Sequence, residues 1–336
     1  MTAQRGKPPA WSPEAGAALV TVLVLLAVMA VLATALVEAA RFSLARLHNQ
    51  EQMSQARWYL FGAERVAAAR AGEAIRALEG GGADFLWQGF EASYPIDGGA
   101  VSLTVRDGSN CFNLNSLITG DDEGGTASNP AAQVEFLAII EQSGAQVFNA
   151  EGLAAALTDY LDADQTPLPG GAEDEPGAAP DRYRTANVLI GDVSELLAIR
   201  GFTPDIVARL APFVCVRPRA AVSMVNINSL QAQDAPFLTA MFGGALSLQA
   251  AQALIAARPL GGWRDVETFF DDPRLAALEP SDAFKARFGV RPRYLVMIGR
   301  VRWQGVEESS AALIEIGPPS RIVRRVLGAQ VTERSV

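Results

Sequence analysis

The sequence has one histidine and two cysteines in 336 residues. That scarcity excludes most nucleophile–base pairs and most zinc sites, which draw on imidazole and thiolate. The histidine, His48, sits in a helical stretch and reads as an exposed helix residue. Cys111 and Cys215 are far apart and form no Cys-x-x-Cys. In an oxidising compartment they read as one disulfide, and otherwise as two buried thiols. Ser-x-x-Lys, Gly-x-Ser-x-Gly and phosphate-loop patterns are missing too, so the chain reads as non-enzymatic. Positive charge is also in short supply. A net charge of −9 weighs against nucleic acid or an anionic membrane surface as the main partner.

Charge, proline and glycine are all absent from Ala17 to Val37, a run of 21 residues. At about 1.5 Å per residue, a helix of that length crosses the roughly 30 Å core of a bilayer. A removable secretory core is usually about 7–15 residues long. This run is longer, and Val37-Glu38-Ala39 makes a weak cleavage pattern, so the run predicts a retained single-pass anchor. Leu44, Leu47, Trp58, Phe61, Val66, Ile75 and Leu78 carry the helical spacing onward to Gly80-Gly81-Gly82. One helix on the order of 90 Å is expected, with Gly62 and Gly72 as its weak points.

Strand patterning is sparse in the remainder. Ala100 to Val105 alternates like a strand, and Asp107-Gly108-Ser109-Asn110 turns the chain. From about Pro130 to Phe288 the pattern is mainly helical. Strand signals return at Tyr294 to Trp303, Ala311 to Ile316 and Arg321 to Ala329 as a meander. This order predicts an α+β fold: a long transmembrane helix packed on a small antiparallel sheet, with a large, mostly helical domain inserted between strands. The expected segments are a leader (1–16), a membrane span (17–37), a soluble helical stretch (38–79), the first part of the sheet (80–112), the insertion (113–288) and the last strands (289–336).

Cations are missing again between Asp159 and Asp181, where seven carboxylates fall within 23 residues. They are Asp159, Asp162, Asp164, Glu173, Asp174, Glu175 and Asp181, in a stretch whose glycines and four prolines make it a loop. Like charges at this density spread into water or are neutralised by a hard cation with six to eight oxygen ligands. Charge alone leaves both readings open.

Farther on, Glu195 to Phe202 leads into a helix near Pro204, and Val225-Asn226-Ile227-Asn228-Ser229-Leu230 precedes more helices and Gly243-Gly244. This resembles the helix-hairpin-helix pattern of DNA-binding modules such as membrane-tethered competence proteins. The span from Glu195 to Phe270 holds six basic and five acidic side chains, too few cations to grip phosphates. It reads instead as a structural module, with Asn228 and Ser229 as helix N-caps.

The polar leader ending in Glu14-Ala15-Gly16, just ahead of the apolar run, resembles the class III signal of type IV pilins and type II secretion pseudopilins. The resemblance implies that a prepilin peptidase cuts between Gly16 and Ala17. Most members carry Glu at the fifth residue after the cut, where it pairs with a neighbour's charged N-terminus. Here that place is Thr21. A subunit with nothing above it needs no such carboxylate, and in this the chain resembles the type K minor pseudopilin. Leu157 to Asp164, Gly171 to Asp174, Tyr183 to Asn187 and Asp192 to Leu197 are similar to the type K calcium-binding segment. The resemblance implies calcium held by Asp159, Asp162, Asp164, Glu173, Asp174, Asp181 and Asn187, with Asp162 and Asp164 foremost. It implies a non-enzymatic subunit at the pseudopilus tip, in the inner membrane with its C-terminal domain in the periplasm. Its implied partners are the minor pseudopilins of types I and J, the major pseudopilin and the inner-membrane secretion platform. A minor pilin of a type IV pilus and a tethered DNA receptor are the alternatives.

Overall fold

The computed structural model describes residues 13–77, 89–121, 125–173, 185–328 and 331. The chain divides into two compact units, Met1–Gln55 and Ala56–Val336. Helix α1 (Pro13–Ala77) passes Gly62 and Gly72 without a break. In the first unit its apolar residues from Leu19 to Val37 stand exposed all round. By length and composition the helix is able to cross a membrane. His48 is exposed on it, as expected, with Gln52 Nε2 at 3.1 Å from its ring.

In the second unit α1 changes character. Ala56, Leu60, Glu64 and Ala68 recur every four residues and are all buried, forming one stripe along the helix. The stripe faces a five-stranded antiparallel sheet, in the order β1 (Phe90–Ile96), β2 (Gly99–Asp107), β9 (Tyr294–Trp303), β10 (Val306–Glu315) and β11 (Arg321–Leu327). Val101, Leu103, Leu295, Met297, Val301, Ala312 and Ile314 form the helix-facing core. Val296, Ile298, Ala311 and Leu313 pack on the opposite face with Val331. Glu64 accepts from Arg325 at 2.5 Å, so the one carboxylate in the buried stripe has its cation on β11.

Two strands, rather than the single expected one, precede the insertion. The added strand, β1, is an edge strand with mostly exposed side chains. It contains Pro95, which an edge tolerates because it needs no donor there, and it lacks the alternation that marks a half-buried strand. Gly98, at φ +79°, turns β1 into β2.

The insertion leaves after Asp107 and returns at Tyr294, between two neighbouring strands. Gly108 N donates to Tyr294 O at 2.9 Å across this neck, and Ser109 Oγ accepts from Arg293 N and Tyr294 N. Within it the chain runs through β3 (Phe112–Asn113), β4 (Ile118–Asp121), β5 (Gly125–Ser128), α2 (Pro130–Gln142) and α3 (Ala150–Leu161). Then come α4 (Pro204–Leu210), β6 (Val214–Cys215), β7 (Val225–Asn226), α5 (Ala235–Met241) and α6 (Leu248–Ala256). Three short helices, α7 (Val266–Phe270), α8 (Pro273–Ala276) and α9 (Asp282–Lys285), lead to β8 (Phe288–Gly289). The insertion has its own core around Phe112, Phe136, Leu157, Phe237 and Phe269.

An internal repeat that sequence reading missed organises this core. Phe112-Asn113-Leu114-Asn115-Ser116-Leu117 and Val225-Asn226-Ile227-Asn228-Ser229-Leu230 differ at two of six positions. Each begins with a two-residue strand in a parallel pair, β3 with β6 and β7 with β8. The second asparagine of each copy is a buried staple. Asn115 Nδ2 donates to Ile190 O and Arg217 O, and Asn228 Nδ2 donates to Trp263 O and Val290 O. Asn228 and Ser229 are therefore not helix caps, because their polar atoms are committed to distant strands and loops. Ser229 Oγ donates to the half-buried Asp107 at 2.7 Å. The α-helix caps among the described residues are Asn129, Asn149, Thr203, Ser247, Asp265, Asp272 and Ser281, each accepting from a first-turn N–H.

Candidate metal centre

Helix α3 carries the acidic segment. Asn149 caps its start, accepting from Gly152 N at 2.9 Å. The helix ends at Asp162, whose backbone is extended while its N–H still donates to Thr158 O. Asp159, one turn earlier, is fully buried. Its Oδ1 accepts from Leu168 N at 3.0 Å and its Oδ2 from Ala172 N at 2.8 Å. These two bonds fold the loop back on the helix. Gly171 is required there, since a Cβ would stand 1.9 Å from Asp159 Oδ2. Asp159 was expected among the ligands, but its carboxylate is engaged by backbone donors and it does not join the group described next.

That group is Asp162, Asp164 and Glu173, each offering an oxygen within 4.8 Å of the others. Asp162 is buried, Glu173 half-buried and Asp164 exposed. Asp164 Oδ1 accepts from Thr166 N at 2.7 Å, and Glu173 Oε2 accepts from Thr185 Oγ1 at 3.0 Å. Thr126 of β5 supports the loop, its Oγ1 accepting from Ala163 N at 2.7 Å. Asn187 is linked to the same loop: its Nδ2 donates to Asp164 O at 3.3 Å and its backbone N to Tyr160 O at 3.0 Å. Its φ of +51° is a left-handed conformation that asparagine adopts more readily than most residues. Asp174 and Asp181 lie outside the described residues.

The donor set fits a hard cation. Asp162 Oδ1 and Asn187 Oδ1 are buried without a hydrogen-bond partner among the described residues, a costly condition for polar oxygens. Burial, with the charges of Asp164, Asp159 and Glu173 added, pushes the Asp162 carboxyl up to about 7. Carboxylate and amide oxygens suit calcium or magnesium rather than a soft metal.

The other predicted residues lie elsewhere. Cys111 and Cys215 are joined in a disulfide with Cα atoms 5.7 Å apart, tying the start of β3 to β6. Thr21 is exposed on α1, and its hydroxyl donates to Ala18 O at 2.8 Å. Helix α1 begins upstream of Gly16 and Ala17.

Family models described as type II secretion system (T2SS), protein K match residues 110–219 and 225–291. Each match begins just before or at one copy of the repeat. Type II secretion system protein K of Klebsiella pneumoniae is 36% identical over 310 residues, covering 87% of this chain and 90% of that protein. The protein of the same name from Pectobacterium carotovorum subsp. carotovorum is 35% identical over 259 residues, 76% of this chain and 79% of its own length. A chain in the crystal structure of the GspK–GspI–GspJ complex from the type 2 secretion system of enterotoxigenic Escherichia coli superposes with a TM-score of 0.71. It is 27% identical, and the match covers 85% of this chain and all of that one.

Proposed function

This chain belongs to the type II secretion system protein K family, and on that premise we propose that it is the minor pseudopilin that caps the pseudopilus tip. The observation that carries the reading is the insertion at residues 108–293. A body with its own core, wedged between adjacent strands of a pilin-like sheet, is too large to recur along a tight filament. It suits a terminal position. The exposed apolar surface of α1 from Leu19 to Val37 supports an inner-membrane anchor beforehand and packing against like helices in the filament. Thr21 supports the terminal place, because its hydroxyl is satisfied by its own helix and needs no charged neighbour.

The minor pseudopilins of types I and J are the partners this reading names first, in keeping with the complex to which the chain is similar. The major pseudopilin and the inner-membrane platform follow in the same scheme. The subunit acts by assembly and without catalytic turnover, with its C-terminal domain in the periplasm. Family membership replaces the alternative of a type IV minor pilin. Calcium is the cation we assign to the loop, held by Asp162, Asp164 and Glu173 with Asn187. It neutralises a repulsive cluster and ties the end of α3 to Glu173 and Asn187, and binding to the folded state alone stabilises it.

The test is the N-terminal sequence of the mature protein extracted from membranes, together with its co-purification. Cleavage after Gly16, giving Ala17 as the first residue, and recovery with the type I and type J subunits are expected. An intact leader, a start near Ala39, or failure to recover either subunit would remove the reading.

A further inference from the structure

A second gathering of charge lies where the insertion meets the sheet. A cavity of about 220 Å³ is lined by Arg217, Arg219, Arg293, Ser109, Ser223 and Tyr294 among others. Arg217 is only 6% exposed. Its guanidinium lies over the Tyr294 ring, 4.6 Å from the centroid. Nη2 donates to Gly108 O and to Cys111 Sγ. Nη1 is buried and has no hydrogen-bond partner among the described residues. Burial lowers Arg217 to about 10, so it stays cationic at neutral pH. A buried cation with an unpaired donor is a costly arrangement, and an anion held in the adjoining cavity would offset its charge.

The rim adds charge of the same sign. Arg219 Nη2 reaches both Glu315 oxygens, at 2.9 and 2.8 Å, and Arg321 Nη2 reaches Oε2 at 2.8 Å. Arg293 stands 3.9 Å from the same carboxylate. The nearby Asp107 is half-buried and satisfied by Asn226, Ser229 and Ser109 N rather than by a guanidinium. Three guanidinium groups, of Arg219, Arg293 and Arg321, thus share the one carboxylate of Glu315, and Arg217 has no carboxylate bonded to it among the described residues, in a chain whose net charge is −9. The Arg219 and Arg293 side chains are 49% and 50% exposed, so the rim is open to a large partner.

We propose that this cavity receives a carboxylate side chain presented by a protein partner, with Arg217 at its base and Arg219 and Arg293 at its rim. The guanidinium fork matches a carboxylate, and the same rim already holds one in Glu315. The volume is below the roughly 300–1,000 Å³ of small-molecule pockets and suits a single acidic side chain.

Calorimetric titration of the full-length protein in detergent micelles tests this with hexaglutamate, hexaglutamine, acetate and inorganic phosphate at one ionic strength. Hexaglutamate is expected to bind and hexaglutamine not to. Arg219→Gln with Arg293→Gln should weaken binding tenfold or more, and Arg293→Gln alone, which touches the fold least, about threefold. Arg264→Gln with Arg302→Gln, exposed positions away from the cavity, should leave it unchanged. Four outcomes would overturn the proposal: no hexaglutamate binding, equal binding by the rim variants, phosphate bound more tightly than acetate, or acetate bound as tightly as the peptide.

Discussion

Asp162 closes a helix and opens a loop, and its surroundings hold its carboxyl near 7, well above the ordinary 3.8. A raised carboxyl stabilises the fold fully below the unfolded value, and that contribution is lost as pH rises through the folded value. The calcium-free protein should therefore lose stability between about pH 4 and pH 7, as Asp162 is forced to ionise beside Asp164 and Glu173. Calcium needs that ionised form. At a hundredfold excess over its dissociation constant it should add about 2.7 kcal/mol, or about 5–10 °C in Tm. Melting curves with calcium and with chelator should separate more at pH 8 than at pH 5, and Asp162→Asn should abolish the separation. Superimposed curves at pH 8 would remove the metal. The acidic cluster was legible in the sequence, because charge density needs no coordinates. The division of labour within it was not: Asp159 and Asp162 are three residues apart on one chain segment, and only the path of the returning loop makes one a clamp and the other a candidate ligand.

Helix α1 was legible for the same kind of reason, since an uncharged apolar run and the helical spacing beyond it are local properties. What the helix packs against is a matter of register. Gly299 of β9 lies under Leu60, and a Cβ there would meet Leu60 Cδ2 and Ser310 Oγ at 3.1 Å each. Gly299→Val should cost about 1–3 kcal/mol by overpacking, read as a lower urea midpoint with m unchanged, and Gly299→Ala should cost less. A variant as stable as the parent would mean that the helix does not press on the sheet at this point. Strand β1 escaped sequence reading because an edge strand buries too little to alternate. Asn228 and Ser229 were misread as caps because Asn-Ser before a helix satisfies a local rule, whereas Asn228 Nδ2 is bonded 35 and 62 residues away along the chain and Ser229 Oγ 122 residues away.

For the whole molecule, the insertion and the sheet have separate cores joined by a neck, and Asp107 and Leu295 are paired neighbours across adjacent strands. Residues 109–293 can therefore be exchanged for a two-residue hairpin turn that closes on Gly108 and Tyr294, without breaking the pairing of β2 with β9. The shortened subunit should still enter the membrane and co-purify with the type I and type J subunits. Filaments assembled with it should lose the defined end that a bulky head imposes, which electron microscopy of pseudopilus lengths would reveal. Unchanged filament length would separate the head from any capping role. The sequence by itself determined the anchor, the α+β order with a helical body set between strands, and the presence of an acidic loop, because hydropathy, periodicity and charge act between near neighbours. Only the tertiary structure decided which carboxylates converge, that three arginines from two separate segments line one cavity, and that two distant asparagine motifs each open on a strand in a parallel pair, because those contacts form between residues the chain keeps far apart until it folds.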